Sequence, residues 1–408
     1  MEKEKKMKLL VLVVIAGFVC AVVFHSVNNF TGRGYPYNTF LFRPDDRFMD
    51  FFNPLRGSFD LDPYNPARIN FIGGYLPFGY FVSFVFSLIQ PWTIALSVFI
   101  SIFIAYLIWY VHNMLYQHRW TTPLEWINVF ALALLTYPVL FILDRANFDV
   151  VVFIFMSLFA YFYERKKTTF SILLLSFPIA MKGYPLVLLA IPLLDKRFRD
   201  IFLSIGLTII LEIVSLSIFQ GGLIEEFNKM IVSFGTAYSI AFQGGGLIRF
   251  NSSLFTFLLF LNPSLIASPW FNRGYVLVVL FVFLTIMAII YKNNYPFWRR
   301  LLIITVAMIL FPQSSGDYRL ILLYPPLMAF LEVSEPLTTD SAIATLLALI
   351  LIPKAYYVFY EDVNIGIVLN PLLLIILLII ILIPISNPAR LNLIKRMNKS
   401  FITEKTIK

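Results

Sequence analysis

Long apolar runs separated by short polar breaks dominate the chain. A helix that crosses a bilayer needs about 20 apolar residues, and helices satisfy their own backbone hydrogen bonds in lipid. The pattern therefore predicts an all-α polytopic membrane protein that forms a single integral membrane domain over residues 1–408. Thirteen apolar stretches are candidate helices, several of them shorter than a full span: 8–25, 75–90, 91–111, 126–143, 147–163, 168–194, 201–219, 252–268, 274–291, 299–311, 319–333, 341–358 and 367–385.

The composition supports this membrane class. Hydrophobic residues make up 59% of the chain and charged residues 13%, whereas a soluble domain carries about 25% charged residues. In a soluble protein, the formal net charge of +9 would suggest nucleic-acid binding. Here the basic residues cluster at the ends of apolar runs, which is typical of membrane topology. We therefore expect contact with membrane lipid and no nucleic-acid partner.

The basic clusters predict which ends of the helices are cytoplasmic, because Lys and Arg accumulate on that side. More than half of the Lys and Arg residues lie in five stretches: Met1–Lys8, Glu164–Lys167, Asp195–Asp200, Lys292–Arg300 and the tail 387–408. Residues 26–74 then form a first outer loop with a juxtamembrane helix, and residues 220–251 form a second outer loop. The spans alternate cleanly only if one early segment, such as 75–90, lies along or dips into the outer surface.

Two acidic residues of the first outer loop could do chemistry. Asp46 and Asp50 are four residues apart and would share one face of a helix. A carboxylate held there could act as a general base on a hydroxyl group. The alternative is a solvated helix in which these carboxylates pair with Arg43 and Arg47.

A lysine interrupts the long apolar stretch 168–194. Charged residues inside apolar segments are costly and usually functional. Gly183 and Pro185 break the helix beside Lys182, as happens at the substrate sites of transport proteins. Lys182 is therefore a candidate site residue, with a snorkelling or structural role as the alternative.

Two further cations lie at breaks between apolar runs. Arg145 could hold an anion at a cavity, or it could pair with Asp149 to plug the break. Arg319 begins a predicted helix and could reach into the same cavity, or it could belong to an ordinary loop. Because such cations suit a phosphate group and a carboxylate suits an acceptor hydroxyl, the combination fits sugar transfer from a lipid phosphate.

The remaining chemistry of the chain argues against metal and nucleotide sites. The three histidines are scattered without ligand spacing: His25, His112 and His118. Structural and catalytic metal sites need ligands at defined spacings. No phosphate-binding loop or dinucleotide fingerprint occurs in the sequence. We therefore expect no metal and no cofactor.

The order of four short motifs resembles the GT-C superfamily of membrane glycosyltransferases. Within it the sequence is most similar to the family 87 type, which includes polyprenyl-phosphomannose-dependent mannosyltransferases. The resemblance covers residues 8–220 and rests on these motifs: the acidic pair Asp46 and Asp50, the element Asp62–Pro66, Tyr137-Pro138 leading to Arg145–Asp149, and Met181–Pro185.

The resemblance implies a GT-C-type helical bundle with about 11–13 transmembrane or half-spanning helices and structured outer loops. It also implies an inverting transfer of mannose, or another hexose or pentose, from a polyprenyl-phosphate sugar donor. The acceptor is a hydroxyl on a lipid- or glycan-linked molecule at the outer face of the plasma membrane. The resemblance implies a first-loop Asp as the base, which is Asp50 or Asp46 here. From the residue chemistry we expect Arg145, Lys182 and Arg319 at the donor phosphate. The expected substrate contacts are Asp149, Asn147, Tyr64 and Tyr184.

Other functions remain open at the level of sequence. The same charges could line the path of a transporter or flippase of a lipid-linked saccharide. An O-antigen-type polymerase and a non-catalytic membrane assembly protein are further alternatives. A transporter should tolerate loss of the acidic residues in the first outer loop but not loss of Lys182.

Overall fold

The computed structural model of the protein consists mainly of α-helices. It describes residues 3–65, 74–116, 122–243, 250–333, 339–360 and 363–383. Within these ranges, β1 (Tyr357–Tyr360) and β2 (Val363–Asn364) pair as a short antiparallel sheet. The prediction of an all-α polytopic membrane protein is confirmed. The predicted basic tail 387–408 and residues 66–73 of the first outer loop lie outside the described residues.

Most helices follow one another closely, whereas longer connections flank α2. The first nine are α1 (Lys3–Phe30), α2 (Met49–Ser58), α3 (Pro77–Ser87), α4 (Trp92–Tyr116), α5 (Pro123–Leu134), α6 (Tyr137–Arg145), α7 (Asp149–Glu164), α8 (Thr168–Leu174) and α9 (Ser176–Lys182). The next nine are α10 (Ala190–Leu194), α11 (Phe198–Ile218), α12 (Gly222–Gln243), α13 (Leu254–Leu261), α14 (Pro269–Asn293), α15 (Phe297–Leu310), α16 (Tyr324–Glu332), α17 (Asp340–Leu351) and α18 (Gly366–Leu382). The described ranges also contain these 3₁₀ segments: Pro44–Asp46, Tyr184–Leu189, Pro263–Ala267 and Asp317–Leu323.

Full-length spans are a minority of the apolar helices. In the described part of the chain, α1, α4, α11 and α14 are long and apolar enough to cross a membrane. Helices α5 and α6 meet at a 52° bend, and they add a fifth candidate span if the two are counted as one broken helix. Several other apolar helices are shorter, such as α3 with 11 residues. The described part of the chain therefore combines four or five helices of spanning length with several shorter apolar helices.

The predicted break at Lys182 is present, and two glycines explain its geometry. Gly183 has φ +67°, in the left-handed region that glycine adopts without strain, so α9 ends at Lys182. Pro185 then prevents a regular helix from continuing. Gly79 of α3 faces the break, because a Cβ at this position would lie 2.8 Å from the carbonyl oxygen of Met181. The missing side chain lets α3 pack closely against the broken helix.

Clusters that the sequence predicts to be cytoplasmic meet at one end of the bundle. Their contacts are Lys3 Nζ to Leu115 O at 2.8 Å, Lys6 Nζ to the Phe330 ring at 4.4 Å, the rings of Trp298 and Phe330 at 5.3 Å, and Arg300 Nη1 to Asp195 Oδ1 at 2.6 Å. We call this the basic end. Helix α7 ends there at Glu164, beside the basic residues 165–167, and begins at Asp149. Its 16 residues cover about 24 Å at a rise of about 1.5 Å per residue.

Helix α3 explains how the early segments alternate. Helix α4 ends at Tyr116 next to the start of α1, at the basic end, and begins at Trp92. The Trp92 ring lies 6.2 Å from Phe59 of the first predicted outer loop. Phe86, near the end of α3, packs 5.9 Å from Phe51 in the same loop. Both ends of α3 therefore lie beside that loop, and α4 extends from there to the basic end.

Two segments contain secondary structure that the sequence did not predict. The stretch 220–251 was predicted as a loop, yet it contains the 22-residue helix α12. The apolar run 341–358 is helical only to Leu351 and then continues into β1. Pro353 follows closely, and the ammonium of Lys354 donates to the carbonyl oxygens of Leu349 and Ile350. These bonds satisfy carbonyl groups that a helix end leaves without intrahelical partners.

Candidate active site

The two acidic candidates of the first loop meet at one guanidinium group. Arg145 Nη1 lies 2.8 Å from Asp46 Oδ2, and Nη2 lies 2.5 Å from Asp50 Oδ1. Asp46 ends a 3₁₀ turn, Asp50 lies in the first turn of α2, and Phe48 between them has φ +61°. The prediction that both carboxylates lie on one continuous helix is therefore wrong. Arg145 nevertheless holds the two carboxylates together.

The pair between Arg145 and Asp149, one of the two alternatives for Arg145, does not form. Helix α6 ends at Arg145 because Ala146 adopts a left-handed conformation with φ +49°. The chain therefore turns before Asp149, and the helical spacing that would align the two side chains is lost. Arg145 instead points to the first loop, where its guanidinium also stacks 4.3 Å from the Phe42 ring.

Asp144 fastens the first loop to the end of α6, a role that the sequence did not reveal. Its carboxylate accepts hydrogen bonds from the backbone N–H of Phe42 at 3.1 Å and from Arg47 Nε at 3.2 Å. Arg43 pairs instead with the exposed Asp45 at 2.6 Å, and this hydrogen bond lowers the pKa of the Asp45 carboxyl. Neither arginine therefore pairs with Asp46 or Asp50, so the alternative of a solvated helix with these salt bridges is wrong.

Asn147 connects the acidic pair to Lys182. Its side-chain N–H donates to Asp50 Oδ2 at 2.7 Å, and its side-chain oxygen accepts a hydrogen bond from Lys182 Nζ at 2.9 Å. Both carboxylate oxygens of Asp50 are therefore engaged, one by Arg145 and one by Asn147. This fixes the orientation of the Asp50 carboxylate more tightly than that of Asp46.

Asp149 is the most buried member of the cluster and gathers the other predicted residues. Its carboxylate lies 2.9 Å from Lys182 Nζ and accepts a hydrogen bond from the Tyr184 hydroxyl at 3.0 Å. Arg319 Nε lies 3.8 Å away, and the Arg319 guanidinium stacks 4.3 Å from the Tyr184 ring. The Tyr75 ring lies 4.6 Å from Lys182 Nζ. The break after α9 and the 3₁₀ segment of Arg319 thus meet at one carboxylate.

The cluster is balanced in charge and graded in depth. Three carboxylates face three cations: Asp46, Asp50 and Asp149 against Arg145, Lys182 and Arg319. The side chains of Asp46 and Asp50 are 38% and 23% exposed, whereas that of Asp149 is fully buried. The acidic pair therefore borders the opening of the site, and Asp149 lies at its base.

Tyr64, a predicted substrate contact, supports the site indirectly. Its hydroxyl group donates to the carbonyl oxygen of Tyr75 at 3.1 Å, and its ring packs 5.2 Å from Tyr80. A direct substrate contact by this hydroxyl would require that hydrogen bond to break. The side chain that borders the charged cluster is instead Tyr75, which the sequence did not single out.

A second unpredicted residue, Asp317, positions the segment that carries Arg319. Its buried carboxylate accepts hydrogen bonds from Tyr137 Oη at 2.9 Å, Ser252 Oγ at 2.6 Å and Asn370 Nδ2 at 3.3 Å. Burial raises the pKa of the Asp317 carboxyl, and the hydrogen bonds from Ser252 and Tyr137 oppose that rise. Asp317 therefore joins α6, α18 and the start of α13 beside the site.

Replacing Asp317 with alanine should destabilise the protein strongly. The change leaves the donors of Tyr137, Ser252 and Asn370 without their acceptor, and a buried unpaired donor costs about 1–3 kcal/mol. We expect a markedly lower thermal unfolding temperature in detergent for Asp317→Ala, and a smaller decrease for Asp317→Asn. The exposed Asp45→Ala is the matched control. Equal unfolding temperatures for Asp317→Ala and Asp45→Ala would contradict this role.

An apolar cavity begins next to the charged cluster. Its volume is about 410 Å³, and it lies between α14, α15 and the segment after the Lys182 break. Tyr184 lines both the cavity and the Asp149 cluster. Much of α14 is exposed, including Leu277 and Phe281. The charged cluster therefore adjoins an apolar space beside a lipid-exposed helix.

The fold and the site together define an integral membrane protein that has a cluster of paired carboxylates and cations at one end of a helical bundle. Among the described residues, no group of three His, Cys, Asp or Glu side chains could hold a metal ion. The chain belongs to glycosyltransferase family 87, because the model of this family matches residues 71–312, more than half of the sequence. Arg145 and Lys182 lie inside the matched region. No curated protein and no solved structure matches the chain.

Proposed function

We propose that this membrane glycosyltransferase moves a sugar from a polyprenyl-phosphate donor to a hydroxyl group of a lipid- or glycan-linked acceptor. The observation that carries the proposal is the continuous network from Asp50 through Asn147 to Lys182 and Asp149. It joins a partly exposed carboxylate, suited to a hydroxyl, with cations suited to a phosphate. Mannose, or another hexose or pentose, is the transferred sugar in this GT-C-type reaction.

The donor phosphate is proposed to lie against Lys182 and Arg319. Both side chains are little exposed, so their charges act where water screens them less. The sequence placed Arg145 at the donor phosphate, but its guanidinium group is paired with Asp46 and Asp50. We therefore propose that Arg145 orients the base and contributes positive charge at the edge of the phosphate site.

Asp50 is the proposed general base, with Asp46 as its neighbour. Asp50 takes the proton from the acceptor hydroxyl, whose oxygen then bonds to the anomeric carbon. The bond between that carbon and the phosphate oxygen breaks, and the configuration inverts. The transition state resembles an oxocarbenium ion, as in other glycosyl chemistry. Asn147, Asp149 and Tyr184 are proposed to contact the sugar or to hold the cations in place.

The charge balance of the site supports this reaction. Three carboxylates and three cations give a formal charge of zero before the reaction. When Asp50 gains the proton, the formal charge of the site becomes +1. The donor phosphate gains one negative charge in the same step, because its bond to the sugar breaks. The phosphate leaves without a proton and is stabilised by fixed positive charge.

The surroundings of the site support a lipid-linked donor. The cavity of about 410 Å³ next to Tyr184 is lined mainly by apolar side chains of α14 and α15. An isoprenoid chain could extend from the phosphate into this space and toward the lipid. We propose that the site faces the outer side of the plasma membrane, because the basic end lies at the opposite end of α7 and basic clusters favour the cytoplasm.

Incubating the purified protein with a panel of polyprenyl-phosphate sugars tests this function. We expect one donor to release polyprenyl phosphate only when an acceptor glycan or glycolipid is present, with inverted configuration in the product. A nucleotide sugar should give no transfer in the same assay. Release from none of the lipid donors, in protein that remains folded, would contradict the proposal.

A transporter or flippase of a lipid-linked saccharide is the second candidate, favoured by the broken helix beside Lys182. An O-antigen-type polymerase would use the same kind of lipid-linked substrate. A transporter moves its cargo unchanged and should tolerate loss of Asp46 and Asp50. Reconstituted vesicles that translocate the donor without releasing polyprenyl phosphate would favour this alternative.

A further inference from the structure

Helix α12 in the second outer loop has an apolar stripe on its exposed side. Leu223, Phe227 and Ile231 are spaced four residues apart and lie along one face of the helix, and Ile224 borders them. All four side chains are exposed, Ile224 to 77%. Glu225, about 160° around the helix from Phe227, is also exposed and pairs with Lys229. The exposed surface thus divides into an apolar stripe and a polar edge.

The side of α12 that faces the protein is polar. Glu226 and Ser233 are buried there, with exposures of 0% and 4%, and Lys229 Nζ lies 2.8 Å from Glu226 Oε1. A surface helix of a water-soluble protein buries its apolar face and exposes its polar face. Helix α12 has the opposite arrangement on these two sides. This reversal indicates that its exposed stripe meets an apolar environment.

We propose that α12 lies along the surface of the membrane, with its apolar stripe in the boundary between lipid headgroups and acyl chains. Interfacial helices insert their apolar face about 5–10 Å into this region. Helix α12 directly follows α11, a candidate span whose last turns expose Val214 and Ile218. Only residues 219–221 separate the two helices, so the stripe begins close to the exposed apolar surface of α11.

The position of α12 also fixes part of the first outer loop. Gln220, just before α12, donates from Nε2 to the carbonyl oxygen of Asp60 at 2.6 Å. Lys229 Nζ lies 3.3 Å from Asp62 Oδ1. Tyr64 follows two residues later and supports the wall of the charged site. Docking of α12 therefore holds this loop at the membrane surface, where lipid-linked substrates would arrive. This consequence rests on the proposed function, but the membrane contact does not.

Site-specific fluorescence quenching tests the membrane contact without measuring activity. Cys20→Ser removes the chain's one cysteine. A single bimane label is then attached to Phe227→Cys, or to Glu225→Cys on the polar edge as the matched control, in phosphatidylcholine–phosphatidylglycerol vesicles. Nitroxides near the headgroup should quench the label at position 227 more strongly than the label at position 225, and aqueous iodide should show the reverse order. Ile213→Cys in α11 verifies insertion, because deep acyl-chain nitroxides should quench its label.

Two results would overturn the proposal when the α11 label shows correct insertion. Iodide quenching of position 227 that equals that of position 225 would mean that the stripe faces water. Protection of position 227 from both quenchers would mean that protein, such as a second copy of the chain, covers the stripe. Because none of these measurements uses a sugar donor, they remain interpretable if the transfer reaction fails.

Discussion

Asp50→Asn should abolish most of the sugar transfer while leaving the protein folded. Asparagine has the same shape as aspartate and can still accept the hydrogen bond from Arg145, which lies 2.5 Å from Asp50 Oδ1. It cannot take a proton from the acceptor hydroxyl. Loss of a general base lowers the rate by about 10²–10⁴-fold. The measurement is the rate of polyprenyl-phosphate release in membranes supplied with a lipid-linked donor.

Two variants of the same loop serve as comparisons for Asp50→Asn. Asp45→Asn changes an exposed carboxylate that pairs with Arg43, so transfer should remain at the wild-type rate. Asp46→Asn should have a smaller effect than Asp50→Asn, because Asp46 makes fewer fixed contacts within the network. Full transfer by both Asp46→Asn and Asp50→Asn would end the assignment of either carboxylate as the base.

Lys182→Met should weaken use of the donor more than use of the acceptor. Methionine approximates the length of the lysine side chain but removes the ammonium group proposed to contact the phosphate. A hydrogen bond to a charged group contributes about 1.5–3 kcal/mol, which corresponds to about 10–100-fold in kcat/KM for the donor. Initial rates measured against donor and acceptor concentrations separately give this comparison.

A double variant separates a binding role of Lys182 from a structural one. Lys182→Met alone leaves the buried Asp149 without its partner at 2.9 Å, and breaking a buried ion pair costs about 3–5 kcal/mol. Lys182→Met combined with Asp149→Asn removes both charges and should recover thermal stability. Donor use should stay low in this double variant. Recovery of donor use together with stability, or a loss confined to the acceptor, would remove Lys182 from the phosphate site.

Much of the architecture follows from local features of the sequence. The apolar runs predicted a helical membrane protein because uninterrupted apolar surface must face lipid or a core. The break at Lys182 was visible because Gly183 weakens a regular helix and Pro185 interrupts it. The clusters of basic residues predicted which helix ends would gather together. Each of these conclusions depends only on a short stretch of the chain and on whether lipid or water surrounds it.

The pairing of charges could not be read from the same pattern. Helical spacing suggested Arg145 with Asp149, and Asp46 with Asp50 on one helix face. Left-handed residues at Ala146 and Phe48 interrupt both helices and redirect these side chains. The role of Asp317 was missed because its three hydrogen-bond donors come from distant parts of the chain. Helix α12 was missed because its charged residues keep it from matching the pattern of an apolar span.

By itself, the sequence determined the membrane class, the helix breaks and the residue types available for chemistry. It did so because lipid solvation and backbone geometry act over a few neighbouring residues. The tertiary structure alone decided that Arg145 joins Asp46 to Asp50, that Asn147 links Asp50 to Lys182, and that the Tyr64 hydroxyl bonds to the backbone of Tyr75. Such choices depend on which distant helices pack together, because a buried charge takes whichever partner the packing brings within reach.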